Sequence, residues 1–482
     1  MCGIAGSINH QLDIPRLTKD LWHRGPDEQS TFSERNLQLH HHRLSILDIA
    51  GGKQPMHYNH LTIIFNGEIY NHLEVRVKRR LSCQTNSDTE TILHAYAAIG
   101  PDCLNDFDGM FALVIYDRQK DALFLARDRA GKKPLYYYSH GNGFLFASEL
   151  NALHNQLSLQ INEEALQQYM RMGYFYRSST AYKNVYELPA GSYAYVSIQK
   201  PIAEIKKWWN IHQYYSKPVN DDFATALEKT DTLLNQAVKN RVESSDLEVG
   251  SFLSGGIDSG IVTAIAKNYN STLKTFTISF QGEYDEAPLA KLVAERYQTK
   301  HHEIKISFDN LQFDVENILA NYGEPFFDSS AIPSYYVSKE AKKHLTVILN
   351  GDGGDEIFGG YRRYVPFAKY DFFNPGFLLR SIADAVHAVL PVSHNKKSRY
   401  NFIYRLAGLA KKNGLETYLA ATIDSFEGYE MYLTGTDSTL KQVENDFNFI
   451  NHSSLTGLQK IMNLDFDNIL PGDLLVKMDI AT

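Results

Sequence analysis

Val249-Gly250-Ser251-Phe252-Leu253-Ser254-Gly255-Gly256-Ile257-Asp258-Ser259 reads as an apolar strand that runs into a glycine-rich turn. A strand is expected over Val249–Leu253 and a helix over Gly260–Tyr269, with Ser254–Ser259 between them. In that setting two glycines let backbone N–H groups turn toward an anion at a helix N-terminus, and the serine hydroxyls add donors. The segment is a candidate phosphate cradle, against the plainer reading of a strand-to-helix turn without a ligand. It lacks the Gly-Lys-Ser/Thr ending of the ATPase loop, and Asp258 would repel a phosphate unless Mg²⁺ sat between them.

The pattern continues outward from this stretch. Phe223–Val242 and Glu286–Tyr297 read as helices, and Thr275–Phe280, His302–Ile306 and Leu345–Leu349 as strands. Alternation of this kind builds a parallel sheet covered by helices, with ligands outside the carboxyl ends of its strands. Residues 365–460 read as mostly helical. Upstream, Ile198–Asn220 is polar and aromatic and reads as a connector. Before it, short apolar runs separated by turn signals (Leu61–Phe65, Met110–Tyr116, Ala122–Ala126, Leu135–Tyr138, Phe144–Ala147) suggest antiparallel sheets. Only Asp88–Ile99 and Glu163–Met170 look helical there. Two domains are expected, over 1–200 and 220–482.

Composition excludes several classes. A chain of 482 residues with 43% hydrophobic and 12% aromatic residues folds into globular domains. Lys+Arg 48 against Asp+Glu 56 gives a net charge of −8, without the positive field of a nucleic-acid binder. No apolar run approaches the ~18–20 residues that span a bilayer, and no secretory signal opens the chain, so the expectation is a cytoplasmic protein without membrane partners. Three cysteines with no metal-like spacing argue against disulfides and structural zinc.

Two further segments carry chemistry. Cys2, in Met1-Cys2-Gly3-Ile4-Ala5-Gly6, would bear both a thiol and a free α-amine once Met1 is removed. With a thiol near pKa ~8.5 and an amine near ~7.7–8.0, that residue is a nucleophile with its own base. After Leu345–Leu349 comes Asn350-Gly351-Asp352-Gly353-Gly354-Asp355-Glu356-Ile357-Phe358-Gly359-Gly360-Tyr361. Three acids in one glycine-rich loop suggest cation binding, against the alternative of a solvated acidic loop.

Together with His23-Arg24-Gly25-Pro26-Asp27, Arg43-Leu44-Ser45-Ile46, Phe65-Asn66-Gly67-Glu68-Ile69-Tyr70-Asn71, Ser87-Asp88-Thr89-Glu90 and Ala126-Arg127-Asp128-Arg129, these segments resemble the glutamine-hydrolysing asparagine synthetase family, from Cys2 to the last residue. The resemblance implies a class II glutamine amidotransferase domain, an α+β N-terminal-nucleophile sandwich of two antiparallel sheets with helices outside. It implies a second, α/β domain with a parallel sheet, like the N-type ATP pyrophosphatases (adenine nucleotide alpha-hydrolase-like). The implied activity is an ATP-dependent carbon–nitrogen ligase with glutamine as nitrogen donor. Cys2 would attack the glutamine amide, with Asn66 and the Gly67 N–H as oxyanion donors. Arg43 would grip the α-carboxylate, and Asp88 with Glu68 the α-ammonium. Individually, Arg43 could be a surface ion pair, Asn66-Gly67 a hairpin turn and Asp88 a helix cap. ATP would contact Leu253, Ser254, Gly255, Gly256, Asp258, Ser259, Ile278, Asn350, Gly351 and Tyr361, with Mg²⁺ on Asp258 and Asp355. Aspartate would be adenylated on its β-carboxylate, and ammonia would reach it through an internal tunnel. Two-fold pairing is common in the family, so a homodimer is among the expectations.

The chain departs from the family in three places. Asn350-Gly351-Asp352 stands where the family commonly has Ser-Gly-Glu, which shortens by one methylene a carboxylate, Asp352, linked to intermediate formation. Pro333 stands where some members offer an arginine to the substrate. The chain ends at Asp479-Ile480-Ala481-Thr482 where members continue, so a truncated synthetase half is expected. These departures keep open amidation of another carboxylate, such as a sugar uronic acid, and a glutaminase joined to a non-adenylating nucleotide module.

Overall fold

The computed structural model describes residues 1–279, 285–306, 311–370, 372–391, 398–422 and 440–482. Parts of two sequence expectations lie outside them: the end of the strand read over Thr275–Phe280, and the helical reading at 392–397 and 423–439.

The first half is two stacked six-stranded sheets. One has the order β10-β8-β9-β1-β3-β2, from β1 (Gly3–Ile8), β2 (Glu28–Glu34), β3 (Leu37–Arg43), β8 (Tyr136–His140), β9 (Gly143–Ala147) and β10 (Val185–Glu187). The other has the order β12-β11-β7-β6-β5-β4, from β4 (Met56–Tyr58), β5 (Leu61–Ile69), β6 (Gly109–Asp117), β7 (Ala122–Arg127), β11 (Ser192–Ser197) and β12 (Ala203–Lys207). All their pairings are antiparallel.

Strand periodicity explains the layering, because alternate residues face opposite sides. Ile4, Ile8, Leu37, Leu39, Ile64, Val114 and Leu123 meet between the sheets. On the outer face of the second sheet, Leu61, Ile63 and Phe65 pack on Ile92, Leu93 and Ala95 of the helix Asp88–Ile99. Ala5, Leu145 and Ala147 do the same against Leu17, Leu21 and Leu150 on the other side. At ~1.5–3 kcal/mol for each large apolar side chain removed from water, these three seams are the main source of stability in this half.

Polar composition hid several strands from sequence reading. β2 is an edge strand with the polar sequence Glu-Gln-Ser-Thr-Phe-Ser-Glu, and β12 is a largely exposed edge strand inside the stretch read as a connector. Edge strands pair on one side only and favour charged residues that block further pairing. β3 was obscured by His40, His41 and His42, all buried and all held below the ordinary imidazole pKa, chiefly by burial.

The second half centres on a parallel sheet of order β15-β14-β13-β16, from β13 (Val249–Phe252), β14 (Lys274–Ser279), β15 (Lys300–Lys305) and β16 (Val347–Leu349). The chain adds β14 and β15 on one flank of β13, then returns to add β16 on the other. The loops after β13 and β16 therefore lie side by side at a topological switch point. The helix after β13 begins at Ile257, three residues earlier than its sequence pattern suggests, with Gly256 as its N-cap. Asp258 and Ser259 thus occupy its first turn, where an acidic side chain suits the helix dipole.

The two halves share a core. Met172, Tyr174 and Tyr176 join Tyr364, Phe367, Tyr418 and Phe447 of the helical region in one cluster. Polar contacts cross as well: Tyr182 donates to the Gly323 carbonyl at 2.7 Å, and the Ala181 N–H donates to Glu324 at 2.8 Å. Among the described residues no helix is long and apolar enough to cross a membrane.

Candidate active sites

Register gathers the residues of the first site. Cys2 has the parity of Ile4 on β1, Arg43 that of Leu39 on β3, and Asn66 that of Ile64 on β5. All three therefore point between the sheets at their ends. A cleft of about 40 Å³ opens beside them, lined by Cys2, Arg43, Gly67, Glu68, Asp88 and Thr89, while Asn66 is fully buried and forms no part of its lining.

The Cys2 thiol lies 3.8 Å from the Leu44 carbonyl, and the Leu44 N–H donates to Sγ at 3.4 Å. Burial pushes this thiol up, while the nearby amino terminus and the Leu44 N–H pull it down. The Met1 amine is lowered to about 5, first by burial and then by Arg24.

Asn66 is fully buried, and neither its amide oxygen nor its nitrogen has a hydrogen-bond partner among the described residues. A buried amide with both ends open is expensive, and such groups reward a functional explanation. The Asn66-Gly67 hairpin reading does not hold, since both residues lie inside β5 and pair with Ala112 and Phe111. Gly67 has φ 154°, and a Cβ there would stand 2.1 Å from the Met110 carbonyl.

Arg43 is buried, yet it does form an ion pair, with the half-exposed Glu28 at 3.2 Å. Its Nη groups donate to the carbonyls of Ile49 at 2.9 Å and Asp48 at 2.7 Å, and more weakly to Leu47 and Glu28. It fastens the 47–49 loop to the cleft wall. Asp88 is the first residue of its helix, while Ser87 is the cap. Burial raises Asp88 to about 6, although the Ile69 N–H donates to it at 2.9 Å. Glu68 is raised to about 7 by burial, against a 2.7 Å hydrogen bond from Ser244 of the second half. Two carboxylates held above their ordinary range in one cleft are poised for a cationic group, which would restore their ionisation.

In the second site the loops after β13 and β16 touch. A Cβ on Gly351 would meet the Ser259 N at 2.9 Å, and one on Gly354 would meet the Asp258 carboxylate at 2.7 Å. Ser259 Oγ accepts from the Ser254 N–H at 3.1 Å and lies 2.8 Å from Ser254 Oγ. The Gly255 N–H points to Glu286 at 3.2 Å. Leu253 is buried beneath the loop, and Ile278 packs with Phe276 and Val337 under the same strand ends.

The acids separate into two groups. Burial raises Asp258, and Asp355 raises it further by like-charge repulsion. A divalent cation fits this pair, because it would relieve that repulsion where a Cβ at 354 would press on the Asp258 carboxylate. Asp352 accepts from the Asn350 amide at 3.1 Å and is raised by burial, with Lys477 opposing. Glu356, by contrast, turns inward and accepts from Tyr361 at 2.6 Å. That bond commits the Tyr361 phenol, and its ring packs against the helical core. Sequence reading had placed Glu356 with the other acids and Tyr361 with the nucleotide.

A cavity of about 320 Å³ lies between the sites, lined by Met1, Leu44 and Glu68 of the first half and by Val347, Asn350 and Asp352 of the second. Lys132 also faces it, lowered to about 8 mainly by burial. Sequence reasoning gave no role to Lys132, Lys133, Ser244, Lys477 or Asp479, and it quoted Arg24 only within its motif. All but Lys477 draw their significance from a contact or a cavity wall shared with the other half, and Lys477 from Asp328 and Ser330 about 150 positions away; local patterns reveal neither.

Residues 1–209 match the family model for a glutamine amidotransferase domain, and residues 229–482 match that for asparagine synthase. The chain is 35% identical over 521 aligned residues to a putative glutamine-hydrolyzing asparagine synthetase 2 of Methanocaldococcus jannaschii, covering 100% of this chain and 98% of that protein. It is 32% identical over 514 residues to glutamine-hydrolyzing asparagine synthetase 1 of Bacillus subtilis, covering 100% of this chain and 77% of that protein. Among solved structures, glutamine phosphoribosylpyrophosphate amidotransferase from B. subtilis is similar at a TM-score of 0.33 with 16% identity, covering 59% of this chain and 67% of that one.

Proposed function

Because the chain belongs to the glutamine-hydrolysing asparagine synthetase family, we propose that it transfers the amide nitrogen of glutamine to an ATP-activated aspartate, giving asparagine, glutamate, AMP and pyrophosphate. The observation that carries this reading is a cavity walled by Asn350 and Asp352 on one side and, on the other, by Met1, Leu44 and Glu68, which also line the Cys2 cleft.

In this mechanism the Cys2 thiolate attacks the glutamine side-chain amide, and the α-amine freed by loss of Met1 takes the thiol proton and passes it to the leaving nitrogen. Asn66 and the Gly67 N–H stabilise the oxyanion, which accounts for the unpaired Asn66 amide. Ammonia departs, and water hydrolyses the thioester to glutamate. Glu68 and Asp88 hold the substrate's α-ammonium, with Arg43 at the carboxylate end. In the second site the Ser254–Ser259 loop and Asn350-Gly351 orient the triphosphate, and Asp258 with Asp355 would hold Mg²⁺. That ion supplies charge neutralisation on the phosphates when bound. The β-carboxylate attacks the α-phosphorus, pyrophosphate leaves, and ammonia then displaces AMP from the acyl carbon. Passage within the protein would keep ammonia from being protonated to ammonium, which has no lone pair for attack.

A second reading, another carboxylate acceptor, draws on Pro333 in the helix Ala331–Ala341 and on the short Asp352 side chain. The deciding experiment measures pyrophosphate release with Mg²⁺, ATP and glutamine, with and without aspartate, and assays asparagine. Aspartate-dependent release with asparagine formed supports the first reading. Release only with another carboxylate supports the second, and glutamate formation without pyrophosphate overturns both. Cys2→Ala should abolish glutamine-dependent turnover and leave ammonia-dependent synthesis; loss of both in a folded chain would contradict two separable sites.

A further inference from the structure

The last helix of the chain, Leu475–Ala481, uses every side of its two turns. Val476 and Ile480, one turn apart, pack with Ile318 and Tyr322. Leu475 and Met478 line the cavity between the sites. Lys477 and Asp479 are about 200° apart around the helix and therefore reach in opposite directions. Lys477 donates to Asp328 at 3.0 Å and to Ser330 at 2.7 Å, within the second half. Asp479 crosses to the first half, where its two oxygens accept from Arg24 at 2.6 Å and from Lys133 at 2.8 Å.

Arg24 is the informative partner. Its guanidinium spends all three edges: Nη1 donates to Glu149 at 2.8 Å, Nη2 to Asp479, and Nε to the carbonyl of Cys2 at 3.2 Å. Arg24, Lys133, Glu149 and Asp479 are all buried, two cations against two anions. Two carboxylates thus fix the plane of the fork, and its remaining edge rests on the backbone of the nucleophile. A contact that only joined the halves would not need to end there. The Met1 amine lies in the same field, lowered first by burial and then by Arg24 and Lys133, with Asp479 opposing.

We propose that Asp479, contributed by the synthetase half, is a positioning residue for Cys2: it locks Arg24 against the Cys2 carbonyl, so that the glutaminase centre is complete only when the C-terminal helix is docked. This rests on Cys2 being the nucleophile of the function proposed above. Removing Asp479 unlocks one edge of the fork and leaves Lys133 without its carboxylate, and Cys2 loses its fixed distance from the oxyanion donors. Misplacement of a reacting atom by about 1 Å is worth on the order of 10²-fold in rate. Glutamine affinity is set by different residues, because Asp479 makes no contact with Arg43, Glu68 or Asp88.

The test uses the full chain carrying Asp479→Asn. Glutamate formation should fall at least ~10-fold in kcat with the glutamine KM within ~twofold, a split that simple misplacement of the substrate would not give. Alkylation of Cys2 by iodoacetamide, read by mass spectrometry against Cys83 of the same chain as internal reference, should slow at least threefold as a single exponential. Partial unfolding would instead expose Cys2 and speed the reaction. Should the Asn variant fail to fold, Lys477→Met frees the same helix from Asp328 and Ser330 without touching the Arg24 cluster, and it should also slow Cys2 alkylation. A folded Asp479→Asn chain with unchanged kcat, or unchanged Cys2 alkylation in a folded Lys477→Met chain, overturns the proposal. If the unmodified chain forms no glutamate, the functional reading fails, and the alkylation rates still decide the role of Asp479.

Discussion

Asn66→Leu should separate activity from stability in opposite directions. The two side chains have the same branching, and the site is fully buried with neither end of the amide hydrogen-bonded. Replacing an unsatisfied buried polar group by an apolar one of similar shape removes a desolvation penalty of ~1–3 kcal/mol. If the amidotransferase half unfolds as a unit of roughly 200 residues, each kcal/mol moves its midpoint by about 2–4 °C, so a rise of about 2–12 °C is expected. Catalysis should move the other way, because loss of one oxyanion donor costs ~10²–10³ in kcat. The assays are differential scanning calorimetry and glutamate formation at saturating glutamine. Lower stability together with lower activity would mean that Asn66 is a structural residue whose amide is satisfied in solution. An unchanged kcat would mean that the oxyanion lies elsewhere.

Titration should show in glutamine binding. Glu68 and Asp88, raised to about 7 and about 6 by burial, must be ionised to hold an ammonium, so kcat/KM for glutamine should fall as pH drops through 7 and then 6. In Glu68→Gln the upper inflection should disappear from the pH–rate profile. The same shifts set the sign of the stability effect. The folded chain keeps these protons between about pH 4 and 7 while the unfolded chain has lost them, so without glutamine their contribution to stability declines as pH rises across that window. Thermal midpoints of Glu68→Gln and the unmodified chain, compared at pH 5 and pH 8, should diverge at the higher pH. In the second site, Gly354→Ala places a Cβ 2.7 Å from the Asp258 carboxylate. It should suppress ATP-to-pyrophosphate turnover at least ~10-fold with glutaminase unchanged; normal pyrophosphate release would remove Asp258 from the phosphate site.

What the sequence made legible follows from the range of the interactions involved. The β13 strand and its glycine loop are encoded within a dozen residues, so their pattern reads directly as an α/β unit. Cys2, Asn66 and Asp88 stand far apart in sequence but share motifs dense enough to be read together, and strand parity then brings the first two to one end of the sandwich. The misses have a different origin. β2 and β12 are edge strands whose exposed residues carry no apolar alternation.

Arg24 and Asp479 mark the limit of such reading. They are separated by 455 positions, and each is an ordinary charged residue in its own segment. Their meaning arises only when both are buried, because a charge removed from water must be met by a partner of opposite sign. Burial of Arg24 therefore demanded acceptors, and the fold supplied one from its own half, Glu149, and one from the other, Asp479. A pairing of that kind ties the two halves together physically: the helix that walls the cavity near Asp352 carries the carboxylate that meets Arg24, and Arg24 in turn donates to the Cys2 carbonyl. Two sites that share a wall and a charge cluster cannot be perturbed independently at that wall, which is why substitutions there, rather than within either cleft, are the ones that test whether the two halves act in step.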